Sequence, residues 1–192
     1  MIEDCTALIL AGGESRRMGQ DKATLVLDGK TLLAHVTTTM QAVFPRVIVS
    51  VRQLRSGVDV SQVCDEQPGN GPLAGLIAGL AQADTPWVFA VACDMPFVTK
   101  AVVERLAAAR GGHQAVVPMV GGYAQPLSAF YAANTLGTMR TVLAEGDRSM
   151  RRILQKLDTC YVDEADLRAA DPQLRSFFDL DTPQDFQQAQ NK

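Results

Sequence analysis

The sequence is short of several features by which function is often recognised. It contains only two histidines, His35 and His113, and neither stands in a zinc-type spacing, which argues against a histidine-based metal site or a Ser-His-Asp triad. The four cysteines lie far apart without a CxxC pair, so we expect reduced thiols and a cytoplasmic protein. No apolar run approaches the ~20 residues of a membrane span, and residues 1–5 lack the basic region of a signal peptide.

An excess of basic residues is lacking as well. The chain has 21 acidic and 18 basic residues, for a net charge of −3 at pH 7, whereas proteins that coat nucleic acids usually carry the opposite balance. We therefore expect no nucleic-acid partner, while small anionic ligands, which respond to local charge, stay open. With 192 residues, 47% of them hydrophobic, we expect a single domain spanning residues 1–192, and a monomer by default.

Segments that resemble strands alternate with segments that resemble helices. The strands are continuous apolar runs rather than alternating ones, which is typical of a parallel sheet covered by helices on both faces. The predicted strands are residues 6–10, 47–51, 62–64, 87–92, 115–120, 127–131 and 160–162. The predicted helices are residues 31–42, 72–83, 99–110, 135–145 and 149–157, with a further helix beginning at 182–185.

Ligands of such sheets bind beyond the carboxyl ends of the strands, so the segments that follow strands are the candidate binding segments. The first is LAGGESRRMGQDK, residues 10–22, in which adjacent glycines let backbone N–H groups approach an anion. Arg16 and Lys22 add positive charge, which suits a phosphate. Two residues separate the last glycine from Lys22, so the segment is not a Walker A loop. Phosphate binding and a glycine-rich turn with a solvated basic rim both stay open.

Three further segments follow or precede predicted strands. GNGPLAG, residues 69–75, begins a helix whose N-terminus would attract negative charge, although it also fits an ordinary helix start. Asp94 follows a buried strand and Asp65 a short one; a Mg²⁺ ion that also binds phosphate oxygens would pair with both carboxylates. Each aspartate alone also fits a cap or a turn. Gln125 is the polar entry to an apolar strand and could line a pocket.

Four of these motifs together resemble the molybdenum cofactor guanylyltransferase family. They are LAGGESRRMGQDK, GPLAGL, CDMPF and QPLSAFY, and the resemblance covers about residues 6–186. It implies a Rossmann-like three-layer α/β sandwich of the nucleotidyltransferase type, with a mostly parallel central sheet. It also implies a reaction in which the terminal phosphate of Mo-molybdopterin attacks the α-phosphorus of GTP. Pyrophosphate leaves, and the guanine dinucleotide form of the cofactor results.

The resemblance also assigns partners and residues. The implied partners are GTP, Mo-molybdopterin, other proteins of cofactor biosynthesis and acceptor molybdoenzymes, with Mg²⁺ as the cofactor. It places Lys22 on the triphosphate, Asp65 on GTP and Asp94 on the Mg²⁺ ion. Charge neutralisation adds Arg16 to Lys22 and Asp94 as a candidate catalytic residue, and the position of Asp65 after a strand makes it a second candidate metal ligand beside Asp94. Ser50 stands where some relatives carry a nucleotide-contacting asparagine. The nucleotide-binding positions are Leu10, Ala11, Gly12, Gly13, Lys22, Ser50, Asp65, Pro72, Leu73 and Asp94.

The pterin side is predicted to include Gln125, Asp179 and Asp181. Many relatives have asparagines at the last two positions, and two added negative charges would repel an anionic pterin phosphate unless a cation intervenes. Binding of a second Mg²⁺ and simple exposure to solvent both stay open for these aspartates. We expect Asp181 to matter more for pterin use than for GTP binding.

Three other functions compete with guanylyl transfer. Cytidylyl transfer to molybdopterin is the nearest, but such enzymes tend to show LAAG where this chain has LAGG. Sugar-phosphate nucleotidyltransferases tend to have a long extra domain, for which 192 residues leave little room. A non-catalytic GTP-binding module would keep the glycine-rich segment but would not need both Asp65 and Asp94.

Overall fold

The computed structural model describes residues 1–12, 21–64 and 71–190, and a single β-sheet lies at its centre. The strands, numbered in chain order, are β1 Cys5–Leu10, β2 Val26–Leu27, β3 Lys30–Thr31, β4 Arg46–Val51, β5 Ser61–Cys64, β6 Trp87–Ala92, β7 Ala115–Val120, β8 Tyr123–Ala124, β9 Ser128–Ala132 and β10 Thr159–Val162. The central sheet has the order β10-β7-β9-β6-β1-β4-β5, with β8 paired to β7, while β2 and β3 form a separate hairpin.

Most neighbouring strands of the central sheet run parallel. Strand β1 is parallel to both β4 and β6, β4 is parallel to β5, and β7 is parallel to β10. Strand β9 runs antiparallel to its two neighbours, β6 and β7. The predicted parallel sheet is therefore confirmed as a mostly parallel one, with a reversed strand that the apolar pattern did not indicate, because a fully buried strand looks alike in either direction.

Helices cover both faces of this sheet, which confirms the predicted three-layer architecture. They are α1 Leu32–Val43, α2 Gly71–Gln82, α3 Lys100–Ala107, α4 Leu136–Ala144, α5 Met150–Lys156, α6 Glu164–Arg168 and α7 Pro183–Gln190. Helices α1, α3 and α6 bury their apolar side chains in one core, and α2, α4 and α5 in a second core on the opposite face. Within the described ranges, none of the helices is long and apolar enough to cross a membrane.

Side-chain caps determine where several of the helices begin. The hydroxyl of Thr31 accepts the N–H of Ala34 at the start of α1, and Thr99 caps α3 in the same way. At α7 the capping is reciprocal: the Asp185 carboxylate accepts the N–H of Thr182 at 2.7 Å, and the Thr182 hydroxyl accepts the N–H of Asp185 at 3.2 Å. This capping box fixes the path by which the chain enters α7.

Helix α2 lies so close to the sheet that two of its glycines have no space for a side chain. A Cβ atom on Gly79 would lie 2.2 Å from a methyl carbon of Leu8, and a Cβ on Gly75 would lie 2.7 Å from the hydroxyl of Ser50. Leu8 and Ser50 belong to the adjacent strands β1 and β4. The two glycines therefore let α2 cross the middle of the sheet in direct contact with it.

We expect Gly79→Ala to lower the free energy of unfolding by about 1–3 kcal/mol, because the added methyl group overlaps Leu8 in a closely packed core. Gly137→Ala is a matched control: Gly137 lies in α4, and an added Cβ would meet nothing within 4 Å. The control should be neutral or stabilising by up to about 1 kcal/mol. Urea denaturation measures both changes, and equal effects would contradict the packing argument.

Candidate active site

The candidate site lies at the carboxyl edge of the sheet, where β1, β4 and β6 end side by side. The N–H of Cys93 donates to the carbonyl of Leu10 at 3.1 Å, and the N–H of Ala11 donates to the carbonyl of Ser50 at 2.8 Å. These hydrogen bonds continue the pairing of the three strands beyond their last residues. From β1 the chain continues to β4 on one side of it and later returns to β6 on its other side. Sheets of this kind bind ligands at the point where the strand order reverses in this way.

Lys22 lies at the centre of the site and binds two carboxylates. It begins a short 3₁₀ turn, Lys22–Thr24, that is capped by the side chain of Asp21. Its Nζ donates to Asp94 Oδ2 at 2.8 Å and also to Asp181 Oδ1. The side chains of Lys22 and Asp94 are only 15% and 16% exposed, so the pair is largely shielded from water.

The contact brings together residues that sequence analysis assigned to different substrates. Lys22 and Asp94 were predicted on the nucleotide and metal side, and Asp181 on the pterin side. The N–H of Leu180 donates to the carbonyl of Asp94 at 2.9 Å, which fixes the segment that carries Asp181 beside the end of β6. Lys22 is therefore a cation that binds Asp181, one of the two aspartates for which the sequence left the partner open.

The charges at this site shift the pKa values of two of its groups. Partial burial alone would lower the pKa of Lys22, but the hydrogen bonds and charges of Asp181 and Asp94 outweigh it and raise that pKa above its usual value. Desolvation, followed by the negative charges of Asp181 and Asp94, raises the pKa of Asp179. Lys22 is therefore a permanent cation at neutral pH.

The thiol of Cys93, next to Asp94, is poorly suited to act as a nucleophile or a metal ligand in this site. Cys93 is 8% exposed, and burial together with the neighbouring negative charge of Asp94 raises its pKa to about 12. A thiol with such a pKa is protonated at neutral pH and is a poor nucleophile or metal ligand. All four cysteines are free, of which Cys5 and Cys93 are buried and Cys64 and Cys160 are partly exposed.

The described residues fit a hard divalent cation that also binds substrate phosphates. Asp94 presents carboxylate oxygens at the end of a buried strand, and oxygen ligands of this kind suit Mg²⁺. The described ranges hold no group of three or more metal-ligating side chains. Mg²⁺ does not require one, because it usually keeps several waters and uses one or two carboxylates together with phosphate oxygens.

Several predicted nucleotide contacts can involve only backbone groups. The side chains of Leu10, Ala11 and Leu73 are buried in the cores, so their predicted contacts with the nucleotide would come from the main chain. Pro72 is exposed in the first turn of α2, while Ser50 is 3% exposed and lies beneath Gly75 of that helix. The predicted contact of Ser50 with the nucleotide stays a prediction.

The reversed direction of β9 places Gln125 near the same edge. The N–H of Ala92, the last residue of β6, donates to the carbonyl of Leu127 at 3.0 Å, so the segment before β9 runs beside the end of β6. Asp179 and Asp181 reach this edge through the Leu180 hydrogen bond. The predicted site residues Gly13, Arg16 and Asp65 lie outside the described residues.

Two arginines that sequence analysis did not single out also contact the segment after β1. Arg52 donates from Nε to the carbonyl of Gly12 at 2.6 Å. Arg55 forms an ion pair with Asp21 at 2.5 Å. Both follow β4, a predicted strand that also ends at the carboxyl edge, so their position after a strand was the available signal.

Comparison with known proteins identifies what this arrangement resembles. The family model described as the MobA-like NTP transferase domain matches residues 7–160. The "probable molybdenum cofactor guanylyltransferase" of Opitutus terrae is 42% identical over 78% of this chain and 77% of that protein. The molybdenum cofactor guanylyltransferase of Syntrophotalea carbinolica is 34% identical over 95% of this chain and 89% of that protein.

A solved structure agrees with these sequence relatives. The crystal structure of molybdopterin-guanine dinucleotide biosynthesis protein A from Archaeoglobus fulgidus has a TM-score of 0.86 and 29% sequence identity to this chain. The match covers 97% of each chain.

We expect Lys22→Ala to weaken GTP binding by about 10- to 100-fold, the range that corresponds to loss of a charge-assisted hydrogen bond. The variant also leaves Asp94 and Asp181 without their shared ammonium group, which adds to the repulsion of a triphosphate. Lys100→Ala is the matched control, because Lys100 is exposed and pairs with Glu104 on α3. Isothermal titration with Mg²⁺–GTP measures both, and an unchanged affinity for Lys22→Ala would contradict the assignment.

We expect Asp181→Asn to tighten GTP binding by about 2- to 5-fold. Asp181 competes with the triphosphate for Lys22, but its side chain is 44% exposed, so the gain is limited by solvent screening. Asp84→Asn makes the same change of charge at an exposed position and should leave GTP affinity unchanged. A weaker affinity in Asp181→Asn would show that the carboxylate orients Lys22 for the nucleotide rather than competing with it.

Proposed function

This chain belongs to the family of MobA-like NTP transferase domains, and from that membership we propose that it transfers GMP from GTP to the terminal phosphate of Mo-molybdopterin. The reaction releases pyrophosphate and forms the guanine dinucleotide form of the cofactor. The enzyme is a nucleotidyltransferase of molybdenum cofactor biosynthesis. Its compartment is proposed to be the cytoplasm, which is supported by the four free cysteines.

One observation carries the proposal: the ammonium group of Lys22 lies 2.8 Å from Asp94 at the junction of β1 and β6. A phosphate-binding cation and a metal-binding carboxylate next to each other are the parts that a Mg²⁺–triphosphate requires. The nearby segment carrying Asp179 and Asp181 gives the second substrate a place beside the nucleotide, because Leu180 binds the carbonyl of Asp94.

The proposed chemistry needs no general base from the protein. The second pKa of a phosphate monoester lies near ~6, so the attacking phosphate is mostly ionised at neutral pH. The barrier comes from bringing two anions together, and the protein acts by positioning them and neutralising their charge. Lys22 supplies a fixed positive charge whose raised pKa keeps it protonated throughout the neutral range.

Asp94, with Asp65 from outside the described residues, would hold the Mg²⁺ ion. When bound, Mg²⁺ supplies Lewis-acid neutralisation of phosphate charge. Desolvation, followed by the negative charges of Asp181 and Asp94, raises the pKa of Asp179, and a cation beside these carboxylates would reduce their mutual repulsion. Arg16 is proposed to neutralise charge on the phosphates. The pterin is proposed to lie against Gln125, Asp179 and Asp181.

We expect pyrophosphate release to require GTP, Mg²⁺ and Mo-molybdopterin together, and CTP in place of GTP to give less than about a tenth of the rate, since a tenfold preference needs only ~1.4 kcal/mol. A coupled pyrophosphate assay measures this, with Asp94→Asn as an inactive control that lacks one negative ligand but keeps its size. Pyrophosphate release with CTP but not with GTP would favour cytidylyl transfer. GTP binding without release from any nucleotide would favour a non-catalytic module.

A further inference from the structure

We propose that Arg55 is a positioning residue for the nucleotide: it joins the two ends of the segment between β1 and Lys22, and so holds Lys22 where it meets the triphosphate. The inference rests on the proposed function and adds to it a residue outside the glycine-rich motif. Arg55 belongs to the connection between β4 and β5, which the nucleotide-binding motifs do not include.

The guanidinium group of Arg55 contacts both ends of that segment. One of its terminal nitrogens lies 2.5 Å from the Asp21 carboxylate and also donates to the carbonyl of Ala11, at 3.4 Å. Ala11 follows β1 directly, and Asp21 precedes Lys22. A single side chain therefore links the residue that follows β1 to the residue that precedes Lys22. Fixing these two residues relative to each other before the nucleotide binds removes an entropic cost that ligand binding would otherwise carry.

Asp21 passes this constraint on to Lys22. While its Oδ2 binds Arg55, its Oδ1 accepts the N–H of Ala23 at 3.1 Å and so caps the 3₁₀ turn Lys22–Thr24. The backbone of Lys22 is therefore oriented by a carboxylate that Arg55 holds in place. At the other end of the segment, Arg52 binds the carbonyl of Gly12 at 2.6 Å, so a second arginine of the same connection supports the arrangement.

Gln62 fixes Arg55 in turn. Its side-chain amide makes two hydrogen bonds to the main chain of Arg55: Oε1 accepts the N–H at 2.8 Å, and Nε2 donates to the carbonyl at 2.9 Å. Gln62 lies on β5, a strand of the central sheet, so the position of Arg55 is set by a rigid element. An arginine side chain held at its backbone loses less entropy when it forms its ion pair, which makes the contact more effective.

Burial of the guanidinium group also indicates a fixed role. The side chain of Arg55 is only 23% exposed, and its Nε is buried without a hydrogen-bond partner among the described residues. An arginine selected only for surface charge would extend into solvent and would leave no polar atom unsatisfied. The cost of this arrangement is consistent with a side chain that serves the site rather than the stability of the fold.

We expect Arg55→Ala to raise the KM for GTP and the dissociation constant of Mg²⁺–GTP about 10-fold, the effect of losing one charge-assisted hydrogen bond, with kcat changed by less than about 2-fold. Arg55→Lys keeps the charge and should regain about 2-fold of the ~10-fold loss in GTP affinity. Recovery is incomplete because an ammonium group lacks the planar fork of arginine. Arg46→Ala is the control, since Arg46 lies at the opposite end of β4 in an exposed pair with Asp84.

A double-mutant cycle separates positioning from general stability. Asp21→Asn keeps an oxygen for the cap on Ala23 but removes the charge that binds Arg55, so Arg55→Ala should have little further effect on GTP affinity in the Asp21→Asn background. Additive losses, or a lower melting temperature with an unchanged KM for GTP, would overturn the proposal. If Arg55→Ala does not fold, Arg55→Lys and Gln62→Ala replace it in the same measurements.

The wild-type protein distinguishes this inference from the proposed function. Normal GTP binding and turnover in the wild type, with an unaffected Arg55→Ala variant, would overturn the role of Arg55 alone. A wild-type protein that neither binds GTP nor releases pyrophosphate would overturn both, because there would be no triphosphate for Lys22 to meet.

Discussion

The shared ion pair of Lys22 with Asp94 and Asp181 is the interaction on which the rest of the candidate site depends. It connects the end of the glycine-rich segment, the end of β6 and the segment that leads into α7. The cores on the two faces of the sheet fix the strand ends, but they do not by themselves join these three segments. An ammonium group between two carboxylates does so in a largely shielded place, where electrostatic interactions are stronger than in water.

Much of the fold and part of this site follow from local sequence. Short apolar runs predicted the strands, and Thr31, Thr99 and Thr182 indicated helix starts at which the structure has capping hydrogen bonds. Once a parallel sheet is inferred, the residues that follow its strands gather at one edge, so Lys22 and Asp94 could be assigned to the same candidate site from the sequence. Their direct contact also depends on the adjacency of β1 and β6, which the sequence did not predict.

Contacts that depend on packing between distant segments could not be inferred in this way. The contact of Asp181 with Lys22 is one example, because the two residues are 159 positions apart and no periodic pattern links them. The reversal of β9 and the two hydrogen bonds of Gln62 to Arg55 are similar cases. Gly79 in GPLAGLIAG looks like an ordinary helix residue until the distance to Leu8 is known. These features depend on how helices and strands pack together, whereas local sequence patterns indicate only whether a segment is a helix or a strand.

Asp181 follows Lys22 by 159 positions, which has a consequence for the order in which the site forms during synthesis. Synthesis proceeds from the N-terminus at roughly 5–20 residues per second, so Lys22 leaves the ribosome many seconds before Asp181 does. During that interval Lys22 and Asp94 can pair, but the Leu180–Asp94 hydrogen bond and the capping box of α7 are still absent. The site of a nascent chain is therefore incomplete until the segment that carries Leu180 and Asp181 has been synthesised and has reached Asp94.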